Sequence, residues 1–288
     1  MSDFVLFADS ACDLSPELLK EWGVEYENLT FHFEDDEKEY GNGEMDAGEF
    51  YAKMRSGAVA KTSAINMETF KVRFEEYLKQ GKDVLYLAFS SGLSATCQSG
   101  MLAAEELWES YPHRKVVVVD SLAASAGYGL LLYLAVEKKR SGATLEETAQ
   151  YLEDTRLNLC HWFTVDDLKY LKRGGRVSPA VAFVGGMLGI KPVMHVDDEG
   201  HLVPVGKVRG RRASLEAMAD KYMELAQTPG AGPIFISHGD CMDDVEILKE
   251  MLRDKCGAEV DIVTYVGPVI GAHSGPGTMA LFFLGKHR

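Results

Sequence analysis

Three short runs are unbroken apolar stretches inside at most a few polar end residues: FVLFA at residues 4–8, DVLYLAFSS at 83–91 and KVVVVDS at 115–121. None alternates polar with apolar residues, and each is separated from the next by helix-like segments. Strands of this kind are buried on both faces, which is the condition of a parallel sheet covered by helices. The second half repeats the pattern less regularly, with LCHWFTV, IFISH, EVDIVTYV and a closing TMALFFLG. The fold class expected is α/β, with mostly parallel sheets. Such sheets bind ligands beyond the carboxyl ends of their strands.

Local signals place several elements. Ser15 before Pro16 reads as a helix N-cap with proline in the first turn, and the helix PELLKEWG closes on Gly23. VEYENLTFHF reads as one strand. The acidic segment Glu34–Asp46 reads as a hairpin or loop, followed by a helix from Ala47 to Ser56. KTS at 61–63 reads as a polar loop before the helix METFKVRFEEYLKQG. GYGLLLYLAVEKK is oily enough for a buried core helix, and PAVAFVGGMLGI reads as an apolar helix. KPVMHVDDEGHLVPVGKV reads as a hairpin over Asp198-Glu199-Gly200, and Gly267–Gly277 as a loop.

At 288 residues two domains are the expectation. Charge marks where they divide. Residues 1–157 hold 28 acidic against 15 basic side chains, and the remainder 16 against 15. A new strand also begins after residue 157. The expected division is 1–157, an N-terminal α/β domain, and 158–288, a C-terminal one. A net charge of −14 disfavours nucleic acid as a partner. The five cysteines are widely spaced with no C-x-x-C, which fits reduced thiols. No apolar run reaches membrane-spanning length, and the opening MSDFVLFADS lacks signal-peptide character. A cytoplasmic location is therefore expected.

The middle of the chain carries FTVDDLKYLKRGGRVS, Phe163–Ser178. A strand runs into a short helix at Asp166–Leu171, then into Lys172, Arg173, a glycine pair and Arg176. Arginine offers a planar fork of donors suited to carboxylate or phosphate. Three polar turns complement it: Thr62-Ser63, Ser90–Ser94, and His273 within Gly271–Gly277. The first two read as helix-opening loops, where free N–H groups and hydroxyls suit an anion. Helix capping explains either one taken alone. The segment from Gly57 to Thr62 fails as a P-loop, because Ala60 precedes the lysine and Arg55 occupies the first glycine position. No dinucleotide fingerprint or metal-ligand spacing is present, so no cofactor and no metal are expected.

DSACDLS (9–15), KTS (61–63), SSGLSATCQS (90–99), VVDS (118–121), the 163–178 stretch, GIKPV (189–193), KVRGRRA (207–213) and VGPVIGAHSGPGT (266–278) follow one another in a familiar order. Together they resemble the DegV family, the fatty-acid-binding subunits of bacterial fatty acid kinase. The resemblance implies two α/β domains with a long acyl chain buried at their junction and no enzyme activity in the chain alone. It implies a carboxylate held at Thr62, Ser94, Arg173 and His273, the last two also assisting phosphoryl transfer by a separate ATP-dependent kinase. The acyl phosphate would feed phospholipid synthesis. Arg209 resembles a residue of the kinase-facing surface. The family's Pro-Ser after Thr-Ser is here Ala64-Ile65-Asn66, and its Ser-Gly-Thr-Tyr is Ser94-Ala95-Thr96-Cys97. An acyl chain costs about 0.8 kcal/mol per exposed CH₂ in water, so it needs an apolar tunnel. Phe183, Val184, Met187, Leu188 and Ile190 are the candidate walls, with Gly185 and Gly186 making room.

Two other classes compete. Ser94 after an apolar strand suggests a nucleophile elbow, and the order Ser94, Asp240, His273 is that of a serine hydrolase. Thr96 stands where the elbow's last glycine belongs, and no oxyanion loop is evident. Lys207–Arg212 alone suggests a DNA-binding regulator, without a helix-turn-helix to support it.

Overall fold

The computed structural model describes residues 4–36, 38–177 and 189–288. β1 (Phe4–Asp9) is buried along its whole length. In α1 (Pro16–Trp22) the expected cap forms: Ser15 Oγ accepts from the Leu18 N–H at 3.2 Å. β2 (Val24–Glu27) then pairs parallel with β1. β3 (Thr30–Phe33), β4 (Tyr40–Gly41) and β5 (Ala60–Ser63) form a separate antiparallel sheet in the order β4-β3-β5. The run 24–33 is therefore two strands, not one. Between them Leu29 turns inward to 3% exposure, and its N–H donates to Ser10 Oγ at 3.0 Å, which redirects the chain.

After α2 (Ala47–Arg55) and α3 (Met67–Lys79) come β6 (Asp83–Ala88), α4 (Thr96–Ser110) and β7 (Val116–Asp120). They complete a four-stranded sheet, β2-β1-β6-β7, parallel throughout as expected. α5 (Ser125–Arg140) and α6 (Leu145–Thr155) follow. The second sheet holds β8 (Leu159–Thr164), β9 (Ile190–Val196), β10 (Leu202–Arg209), β11 (Ile234–His238), β12 (Ile262–Tyr265) and β13 (Met279–Leu284), in the order β10-β9-β8-β13-β11-β12. Its helices are α7 (Lys169–Arg173), α8 (Arg211–Leu225), α9 (Met242–Cys256) and α10 (Pro268–Ser274). Here the expected parallel pairing holds only for β11 with β12. The other pairs are antiparallel. Strands buried on both faces lose their alternation whatever their direction, so the apolar runs carried no sign of this. The α/β class stands, with one parallel sheet, one mixed sheet and one small antiparallel sheet.

A helix that is oily all round must be covered all round, and α5 is. Its Tyr128 hydroxyl accepts from the Asp9 N–H of the first sheet at 2.9 Å. On the other side Gly127 lies against His161 and Phe282 of the second sheet, so close that a Cβ there would stand 2.5 Å from His161 Nε2. β8 serves two cores by its period of two. Leu159 and Phe163 join the core shared with the first sheet, and Cys160 and Trp162 the core under α8 and α9. Hydrogen bonds span the two halves: Tyr51 OH to the Val266 carbonyl at 2.7 Å, the Val269 N–H to Asn42 Oδ1 at 2.8 Å, and Ser90 Oγ to the Gly200 carbonyl at 3.0 Å. No described helix is long and apolar enough to cross a membrane.

Candidate functional site

A cavity of about 300 Å³ opens where residues of the first and second halves meet. That is the lower end of the range for small-molecule sites. Leu29, Phe89 and Leu93 wall it from one half, and Phe163, Val269 and Phe282 from the other. Polar groups gather along part of the wall: Thr62, Ser94, Arg176, His273 and Ser274.

His273 is the pivot. The sequence expectation put it in a loop, but it lies in α10. Gly267 and Pro268 begin that helix, with proline at its first position, and Gly275 at φ 83° ends it. Its Nε2 lies 2.8 Å from Thr62 Oγ1. Thr62 was likewise expected in a loop that opens a helix. It lies in β5, paired with Phe31, and the strand's rigid backbone sets its hydroxyl against the imidazole. The other ring nitrogen, Nδ1, is buried with no hydrogen-bond partner. It faces Gly174, where a Cβ would stand 2.2 Å away. The first glycine of the central stretch is thus required by the histidine of α10, 99 residues further along the chain.

Arg176 closes the same corner. Its Nε donates to the Leu93 carbonyl at 3.1 Å, and its Nη1 donates to the Gly174 carbonyl. One side chain therefore ties the Ser94 loop to the glycine turn and keeps donors free at the cavity. Burial drives the His273 pKa down to about 4, and the charges of Arg176 and Arg173 push it the same way. The ring is neutral at pH 7 and holds one N–H and one lone pair. A carboxylate placed here would meet a fixed cation, a threonine hydroxyl and an imidazole. A charge leaving water needs such donors.

The expected residues are only partly gathered. Ser94 lines the cavity, its Oγ 2.9 Å from Thr96 Oγ1 and accepting from the Thr96 N–H at 3.2 Å. Arg173 is exposed at the end of α7, over the Tyr170 ring at 5.2 Å, and reaches His273 through its field rather than by contact. Ile190 opens β9 opposite Arg209 and is not among the lining residues, while Arg209 is exposed. Phe183, Val184, Met187 and Leu188, with the expected helix at PAVAFVGGMLGI, lie outside the described residues. The arrangement a serine hydrolase needs is not formed: Ser94 meets Thr96, His273 meets Thr62, and Asp240 pairs with Arg55.

Sequence reasoning missed Arg176 and Ser274 as site residues. Ser274 Oγ is buried and without a partner at the cavity wall. Position beside His273 was its one signal. Arg176 was visible in the central stretch, and the carbonyls it binds could not be read from the chain. The structure adds a deeper polar wall as well. Ser125 and Ser237 line the cavity with their hydroxyl oxygens 2.9 Å apart, and Ser125 donates to Asp13. Burial raises the Asp13 pKa to about 7 against the pull of its Ser125 hydrogen bond.

Comparison with known proteins shows what the chain as a whole is similar to. The family described as "Uncharacterised protein, DegV family" matches residues 3–286. A DegV domain-containing protein of Clostridium perfringens is 42% identical over 99% of this chain and 98% of its own. A protein of Thermotoga maritima named a fatty acid-binding protein is 34% identical over 95% of each chain. The solved structure of a DegV family protein from Thermus thermophilus, described for its fatty acid binding, superposes with a TM-score of 0.88. It is 32% identical and covers 98% of this chain and 99% of that one.

Proposed function

The chain belongs to the DegV family, and from that premise we propose that it binds a long-chain fatty acid in the cavity and presents the carboxylate to a separate ATP-dependent kinase. The head group lies among Thr62, Ser94, His273 and Arg176, with Arg173 at the rim. The chain is then a cytoplasmic lipid-binding subunit without activity of its own, and the partner makes the acyl phosphate that enters phospholipid synthesis. Arg173 and His273 assist phosphoryl transfer: the arginine steadies the transferring charge, and the neutral imidazole can accept a proton. Arg209, exposed at the end of β10, belongs to the surface the kinase meets.

One observation carries this reading. The cavity is walled by apolar side chains, yet a cation, hydroxyls and a neutral imidazole share one part of it. An amphiphile with one anionic end matches that distribution. Native mass spectrometry of protein purified from bacteria should find a fatty-acid mass bound. A hydrogen bond to a charged group contributes about 1.5–3 kcal/mol. Thr62→Ala and Ser94→Ala should each weaken retention, and kinase-dependent phosphorylation, about tenfold or more. Wild-type retention in both folded variants, or ATP turnover by the pure chain, would overturn the proposal.

The division into 1–157 and 158–288 belongs to the same reading. It is supported by the placement of the first sheet's strands within residues 4–120 and the second's within 159–284. Limited proteolysis should leave fragments that end near residue 157. Cleavage confined to the middle of residues 1–150 would count against that boundary.

A further inference from the structure

His161 has no role in holding a carboxylate, and its surroundings are unusual. It lies in the interior of β8, is 2% exposed and lines the cavity. Neither ring nitrogen has a hydrogen-bond partner in the protein. The Leu159 carbonyl is near enough to favour the protonated ring slightly, yet it is not at hydrogen-bonding geometry. Burial is the main influence, and it holds the imidazole neutral far below its ordinary range. A buried ring with both polar atoms unpaired forfeits hydrogen bonds it would make in water. If packing were its only task, phenylalanine or leucine would fill the place without that cost. The ring is also fixed rather than loosely held. It stands edge-on to Phe282 with centroids 5.4 Å apart, and Gly127 of α5 leaves it room that any side chain there would take.

Its position along the strand says what it can meet. The polar corner lies where β8 ends and β13 begins, since α7 follows β8 and α10 precedes β13. Thr164 pairs with Met279 at that end, and His161 pairs with Phe282 three residues deeper. Three residues of strand span roughly 10 Å. His161 therefore stands beside the middle of a chain whose head is at His273. It is neutral, and the cation whose charge reaches it, Arg288, is engaged by the backbone carbonyls of Leu159, Leu122, Asp197 and Arg156. A neutral imidazole carries one donor and one acceptor, the same pair that an alcohol carries.

We propose that the cavity takes long-chain fatty acids bearing a mid-chain hydroxyl group, which His161 recognises by hydrogen bonding. The inference rests on the fatty-acid reading and adds a substrate class to it. A site built to bond a hydroxyl discriminates against the analogue that lacks one, because the site's own polar atom is then left unpaired.

The test compares stearic acid with octadecanoic acids carrying one hydroxyl at successive mid-chain carbons, by displacement of a fluorescent fatty acid from the full chain. At least one positional isomer should bind about tenfold tighter than stearic acid. His161→Leu should abolish that preference while keeping stearic acid binding, and His161→Gln, which retains a donor and an acceptor, should restore part of it. The imidazole nitrogens give a readout that needs no variant: in ¹⁵N NMR of the wild type they should shift with the preferred hydroxy acid and not with stearic acid. Equal affinities across the series, or ring signals identical with every acid, overturn the proposal and assign the ring's partner to a buried water. Failure of stearic acid and all hydroxy acids to bind would instead overturn the fatty-acid reading.

Discussion

Arg176→Ala should remove most of the fatty-acid affinity while the protein stays folded. Among the described residues the side chain is the cation that lines the cavity, and removing one partner of a hydrogen-bonded charge pair costs about 2 kcal/mol or more, roughly thirtyfold in affinity. Arg176→Lys should recover only part of the loss. It keeps the charge but not the fork that binds the Leu93 and Gly174 carbonyls. Arg173 separates two roles that the sequence merged. It is exposed and off the cavity wall, so Arg173→Ala should reduce kinase-dependent phosphorylation more than retention. If Arg173→Ala strips the acid and Arg176→Ala does not, the assignment of the binding cation is wrong. A pH signature accompanies the change. The His273 pKa is about 4 in the folded chain, below the ordinary value near 6.5. The unfolded chain therefore takes up its proton first as pH falls. The stability linked to this group is intact above about 6.5 and lost as pH drops toward 4. Without Arg176 the folded pKa rises, and urea midpoints compared at pH 7 and pH 5 should show a smaller acid-side loss than in the wild type.

Gly174→Ala should damage the site through a single methyl group. The φ of Gly174 is −71°, open to any residue, so backbone strain plays no part. The added Cβ would stand 2.2 Å from His273 Nδ1 and 3.1 Å from its Cγ. The ring must move, and its 2.8 Å contact with Thr62 breaks. Overpacking of this kind costs about 1–3 kcal/mol, and retention of the acid should fall about tenfold or more through the lost corner. Gly175→Ala is the control. That residue has φ +69° with nothing within 4 Å of its Cβ position. Alanine there should lower thermal stability through left-handed strain of about 1–2 kcal/mol and leave binding intact. A double-mutant cycle settles the cause. In a His273→Ala background the clash is gone, and Gly174→Ala should have almost no further effect on thermal stability. Additive losses in the double variant would place the damage elsewhere in the turn.

What the sequence determined by itself was local. Buried strands such as β1 and β6 announce themselves by unbroken apolar runs, α5 by oiliness on every face, and α1 by Ser15 and Pro16. These signals act within a few residues of chain, where period and capping are set. Thr62, Ser94 and His273, which the structure brings to one cavity, were singled out as residues of polar turns and by a resemblance spread over the whole chain, although Thr62 lies in a strand and His273 in a helix. Even α10 had its marks, proline at the first turn and glycine at the end, hidden in a segment rich enough in both to read as a loop. What only the tertiary structure decided was partnership. Strand direction in the second sheet depends on which strands become neighbours, and fully buried strands of either direction look alike. The break at Leu29 depends on Ser10, 19 residues away. Gly174 is required by His273, Arg176 is held by the Leu93 carbonyl, and His161 meets a cavity whose other walls come from distant segments. Each of these is a contact between residues far apart in sequence, formed only when the chain closes on itself, and no local pattern encodes it.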